Sequence, residues 1–60
     1  MITIHDQVTE AERELAMRRR VYPRLVSSGK MKAHDGEVRI ALMQAILDTL
    51  KAKQKEEMLL

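Results

Sequence analysis

The sequence predicts an all-α fold, a two-helix antiparallel hairpin that dimerises into a four-helix bundle. Three observations carry that expectation. Alanine, leucine, methionine, lysine, arginine and glutamate, the strong helix formers, dominate the 60 residues. Glycine and proline total three residues, and a turn-forming cluster, Ser27-Ser28-Gly29-Lys30, separates two helical stretches. The apolar residues recur at helical spacing rather than alternating, which leaves strands a poor fit beyond the first four residues. The chain reads as one domain, 1–60, with helix 1 over about 6–28, a turn over about 27–33 and helix 2 over about 34–57.

Helix 1 has its expected start at Asp6, a plausible N-cap, or at Thr9, which forms a capping-box pattern with Glu12. Glu10, Glu12 and Glu14 come early and Arg18, Arg19, Arg20 and Arg24 late, the order that complements the helix dipole. Val8, Ala11, Leu15, Tyr22 and Val26 fall within about 60° of one another on a 3.6-residue wheel, one narrow apolar stripe. Pro23 removes a backbone donor and crowds the carbonyl of Arg19, so a kink or local break is expected between Arg19 and Pro23. A helix restarting at Pro23 is the other reading. Gly29 reads as the left-handed residue that closes the helix.

Helix 2 starts between Lys32 and Asp35, with His34-Asp35 as the only candidate capping side chains and Gly36 tolerable in the first turn. Val38, Ala41, Leu42, Ala45, Ile46, Thr49 and Ala52 share one face, and Ile40, Met43, Leu47 and Leu50 extend it sideways. Gln44, Asp48, Lys51 and Lys55 form the only wholly polar sector. An apolar arc of roughly 200° is too wide for one partner helix of equal length. A hairpin partner on one side and a second subunit on the other satisfy it, with Val38, Leu42, Ala45, Ile46, Thr49 and Leu50 as the expected dimer interface.

Size points the same way. A monomer of 7.0 kDa exposes about 4,000 Å² when folded and buries only roughly 60% of the surface of its unfolded chain. With no cysteine for disulfides and Tyr22 as the one aromatic ring, a lone monomer is expected to be marginal.

The same inventory excludes several functions. The longest nearly apolar run, Ile40 to Leu47, has eight residues and includes Gln44, far short of a membrane span. The amino terminus has no basic segment leading into an apolar run, so no secretory signal is read and the cytoplasm is the expected compartment. His5 and His34 stand 29 residues apart, and with Asp6, Asp35 and Glu37 they match no metal-ligand spacing, so no metal or other cofactor is expected. Ser27 and Ser28 lie in a turn without a histidine placed to act as base. No glycine-rich phosphate loop is present and a two-helix chain offers no enclosed cleft, so neither catalysis nor a small-molecule substrate is expected.

Residues 17 to 32 carry Arg18, Arg19, Arg20, Arg24, Lys30 and Lys32 and no acid. Arg13, Arg20 and Arg24 share a helix face, whereas Arg18 lies one turn beyond Glu14 and can pair with it. Arginine forks suit phosphate oxygens, so Arg13, Arg20, Arg24, Lys30 and Lys32 form a candidate nucleic-acid contact. Against it stand a net charge of only +2 and the lack of an aromatic residue interleaved for stacking. Tyr22, beside Pro23 and the arginines, is the best single candidate for a protein-binding anchor, with Arg20, Arg24 and Lys30 around it. Met31 and Met43 read as core, and Met58-Leu59-Leu60 as a frayed tail or an apolar terminus that docks.

The stretch Glu14 to Met31 resembles a family of small uncharacterised bacteriophage and prophage proteins. Its members share Arg-Arg-x-Val-Tyr-Pro, then Val, then Gly-Lys/Arg-Met, here Arg18-Arg19-Arg20-Val21-Tyr22-Pro23, Val26 and Gly29-Lys30-Met31. A second segment, Glu37 to Leu47, extends the resemblance to roughly residues 8 to 52. Where the family has Ser or Thr to cap its second helix, this chain has Lys32-Ala33-His34-Asp35. The resemblance implies a phage setting and assigns no catalytic residue. Together with the missing active-site constellation, it leads to an expected non-catalytic protein that binds and inhibits or modulates a host protein. A nucleic-acid-binding accessory factor using the basic 13–32 region is the alternative.

Overall fold

Thr3, rather than Asp6 or Thr9, starts the first helix. In the computed structural model, which describes residues 1–59, the Thr3 hydroxyl accepts a bond from the Asp6 backbone N–H at 3.1 Å. The Asp6 carboxylate accepts one from the Thr3 backbone N–H at 2.9 Å. This reciprocal pair is a capping box with aspartate in the third position. Helix α1 therefore spans Ile4–Ser27. A start at Thr9 would leave Val8 outside the helix, yet Val8 is one of its buried residues.

The helix is continuous through Pro23, so neither a local break nor a restart at Pro23 occurs. The proline is exposed and sits in the last turns, where it forfeits one backbone bond while Tyr22 and Val26 on either side pack toward the second helix. Closure follows the expected route. Gly29 takes φ +78°, its N–H donates to the Val26 carbonyl at 3.1 Å, and the Lys30 N–H donates to the Leu25 carbonyl at 2.9 Å. These are the paired bonds of a Schellman motif, whose left-handed residue favours glycine.

Helix α2 spans Ala33–Met58. Neither His34 nor Asp35 caps it: the N-cap is Lys32, and no side chain bonds the first turn. Asp35 lies inside that turn, where a negative charge complements the dipole without a directed bond.

The two helices form an antiparallel hairpin. His5 meets Gln54, Glu12 meets Lys51, Arg19 meets Gln44, and Tyr22 and Val26 meet Gly36. The core is a single seam of Val8, Ala11 and Leu15 against Met43 and Leu47, edged by Ile40 and Leu50. Gly36 is buried at the tight end of that seam. A Cβ there would stand 3.3 Å from the Met31 sulfur and 3.5 Å from a Val26 methyl, so the glycine sets how closely the helices approach. Met31 and Met43 pack as expected; Met58 and Leu59 are exposed, and the remainder of the expected tail, Leu60, lies outside the described residues.

The hairpin measures 48 × 19 × 14 Å, with a radius of gyration of 14.0 Å. A compact chain of 60 residues has about 10 Å. Its accessible surface is 4,820 Å², against the roughly 4,000 Å² of a compact monomer of this mass. The single chain is a long, thin layer with one seam of core.

Candidate functional site

The four arginines of the α1 basic run divide by helical phase. Arg18 continues the stripe of Val8, Ala11 and Leu15 and is drawn into the interface. Its guanidinium donates to the Arg39 carbonyl of α2 at 2.9 Å, stands 3.5 Å from Glu14 Oε2 and lies 5.9 Å from the centroid of the Tyr22 ring. Arg18 Nε and Glu14 Oε2 are both buried and have no directed hydrogen bond, so their contact is ionic rather than geometric. Arg19 projects to the flank and donates to Gln44 Oε1 at 2.8 Å, and Gln44 in turn donates to Asp48 at 2.9 Å. Lys51 adds a 3.7 Å ion pair with Glu12. The polar sector of Gln44, Asp48 and Lys51 is thus the hydrogen-bonded flank of the hairpin.

Arg20, Arg24, Lys30 and Lys32 differ. All four are exposed, and among the described residues none has an ionic partner. Arg13, the fifth cation proposed for nucleic acid, stands 3.5 Å from Glu10. Tyr22 is half-buried, with its Cβ toward Gly36. It lines an open groove of about 330 Å³ with Pro23, Val26, Ser27, Ala33, Gly36, Glu37 and Ile40. The loop end of the hairpin therefore carries a shallow, largely apolar groove, while Arg20 and Arg24, two residues either side of Tyr22, stand on the opposite side of α1.

A second surface runs along α2. Val38, Leu42 and Ile46 are 41%, 56% and 50% exposed. Ala45 and Thr49 lie exposed beside them. The Thr49 hydroxyl donates to the Ala45 carbonyl at 3.1 Å, so covering this face would strand no hydroxyl donor. Leu50, the sixth residue of the expected interface, is half-buried and packs on the hairpin core. Ile46 also joins Met43, Leu50, Ala11 and Glu14 around an open groove between the helices, making the stripe continuous with the core's edge.

Of the candidate chemistry, His5 sits near the chain ends, its Nδ1 3.4 Å from Gln54. His34 lies beside the loop at the opposite end of the hairpin. Among the described residues no three His, Cys, Asp or Glu side chains gather where they could hold a metal ion. Among the described residues no helix is long and apolar enough to cross a membrane. Asp6 has its carboxyl held below its ordinary value of 3.8, first by the Thr3 backbone N–H and then by the Thr3 side chain.

Sequence reasoning missed the cross-helix roles of Arg18, Arg19 and Gln44 and the packing role of Gly36. For Arg18 the signal was present, since position 18 fills the gap between Leu15 and Tyr22 at helical spacing. No protein-family model, curated protein or solved structure matches the chain.

Proposed function

We propose that this chain is a non-catalytic, phage-type binding protein that self-associates through α2 and engages a host protein in the bacterial cytoplasm, inhibiting or modulating it. The observation that carries this reading is the uncovered Val38–Leu42–Ile46 stripe on a hairpin whose other apolar face is already used. A stripe of branched side chains at helical spacing suits a second layer of helices, and two hairpins sharing it make a four-helix bundle. The phage setting rests on the Arg-Arg-x-Val-Tyr-Pro resemblance alone.

The loop end supports the partner-binding part of the reading. Tyr22 offers a half-buried ring at a groove, and Arg20, Arg24 and Lys30 are exposed charges without an ionic partner among the described residues. Partner hot spots are enriched in tyrosine and arginine. The test is affinity capture from nuclease-treated bacterial lysate with the wild-type chain and the double variant Arg20→Ala/Arg24→Ala. Helical circular dichroism should stay unchanged and a nuclease-resistant partner should be lost in the variant. Wild-type capture by the variant would make this end a structural cap.

The nucleic-acid reading draws on one specific observation, four exposed cations within Arg20 to Lys32 that have no ionic partner among the described residues. Binding through several phosphates should weaken by orders of magnitude between about 50 and 200 mM salt. Contact through Tyr22 and two arginines should weaken far less.

A further inference from the structure

We propose that two copies pair antiparallel along α2, in a register centred between Leu42 and Ile46 that sets Asp35 of each copy against the partner's Lys53. The inference rests on the self-association proposed above and adds its direction and register.

The helix geometry supplies the first step. Asp35 and Lys53 are 18 residues apart, which is five turns, so they share one side of α2 about 27 Å apart. That side is the one carrying Val38, Leu42 and Ile46. Both charges lie nine residues from the midpoint between Leu42 and Ile46. A two-fold axis through that midpoint lays Leu42 across from the partner's Ile46 and brings opposite charges together at both ends of the stripe. Parallel pairing does the reverse, placing Asp35 on the partner's Asp35 and Lys53 on the partner's Lys53. An isologous interface repeats each contact, so attraction or repulsion counts twice.

The charges are free to take these roles. Asp35 is exposed with no ionic partner among the described residues, and Lys53 reaches Glu56 only at 4.0 Å. Ala45 and Thr49 are small enough to let two backbones approach to the 8–10 Å of packed helices.

The area fits a second copy. The chain exposes 4,820 Å², roughly 800 Å² more than a compact monomer of its mass. One partner contributes about that much to an interface of standard size.

Sedimentation equilibrium of the full chain at about 50 mM salt, where rim charges are little screened, tests the register. Asp35→Lys and Lys53→Asp, each alone, should raise the dimer dissociation constant about tenfold, and Asp35→Lys/Lys53→Asp should return it to within about threefold of wild type. Singles that leave the dimer unchanged, or a double variant no tighter than the singles, overturn the register while leaving self-association standing. A wild-type chain that stays monomeric to about 0.5 mM, well above the range of specific assembly, overturns both. If circular dichroism shows that Asp35→Lys unfolds the first turn of α2, the neutral variants Asp35→Asn and Lys53→Gln replace the reversal: a combined variant no weaker than either single supports the pairing, and additive losses overturn it.

Discussion

The two apolar faces of α2 are built from similar residues and meet different fates. Ile40, Met43 and Leu47 lie against Val8, Ala11 and Leu15 and form the core, whereas Val38, Leu42 and Ile46, a fraction of a turn away, stay in water. The arginines of α1 repeat the contrast, Arg18 and Arg19 being bound to α2 while Arg20 and Arg24 have no ionic partner among the described residues. In a hairpin this thin, helical phase decides role more than residue type does. One face is spent on folding and the other stays exposed.

The sharpest way to break that comparison is to shorten one leucine on each face. Leu47 is 3% exposed, so Leu47→Ala should cost about 2–5 kcal/mol, enough to abolish a cooperative melt in so small a fold. Leu42 is 56% exposed, and Leu42→Ala should leave dilute-solution helicity intact while lowering the mass measured by light scattering at high concentration. If both variants unfold alike, the outward face is also a folding face, and the hairpin is stable only as the assembled bundle.

Next in size is Gly36. Enlarging it to leucine drives a side chain into Met31, Val26 and Tyr22 and should cost about 1–3 kcal/mol by pushing the helices apart. Gly36→Ala has a different balance. Its Cβ meets the movable end of Met31 at 3.3 Å, while alanine gains about 1 kcal/mol of helix propensity. Thermal melts should therefore rank leucine far below glycine and alanine near it.

A smaller effect separates the arginines. Arg19→Ala loses the 2.8 Å bond to Gln44 and should lower stability by about 0.5–1 kcal/mol, at the low end because the pair is exposed. Arg20→Ala should stay within about 0.5 kcal/mol of wild type. Urea midpoints for both, measured together, check the order, and equal losses would mean that Arg20 has a structural partner in solution.

Much of the fold was legible because periodicity and turn chemistry are local. The stripe from Val8 to Val26, the second stripe through Met43 and Leu47, and the Gly29 closure all follow from spacing within one element. What escaped depended on the other helix. Gly36 looked merely tolerable until its neighbour came within van der Waals reach, and Gln44 looked solvent-facing until Arg19 reached it. A kink or local break was expected around Pro23, yet α1 is one continuous helix there, because a local propensity carries no term for the packing of Tyr22 and Val26 that holds the last turns together. Of the candidate interface, Val38, Leu42, Ala45, Ile46 and Thr49 were legible as an outward arc. Leu50 was assigned to the same arc but lies one turn beyond Leu47 on its inner side, and so packs with the core.

The smallest expected effect belongs to Asp6, which stands outside both faces and measures what a fully exposed contact is worth. Its carboxylate accepts the Thr3 N–H at 2.9 Å, and that bond holds the folded acid below its ordinary value of 3.8. A depressed folded value means that the unfolded chain takes up the proton first. The contribution of Asp6 is therefore fully present above the ordinary value and is lost as pH falls through the lower, folded one. Other carboxylates titrate over the same range, so the informative quantity is the difference in melting temperature between wild type and Asp6→Asn. That difference should favour wild type and stay flat above about pH 5, then shrink toward zero on the acid side of 3.8. Asparagine keeps an acceptor for Thr3 but loses the charge that answers the helix dipole, so the neutral-pH gap should be small. A gap that persists undiminished at pH 2, or one that widens on acidification, would mean that Asp6 acts through something other than its ionised capping bond.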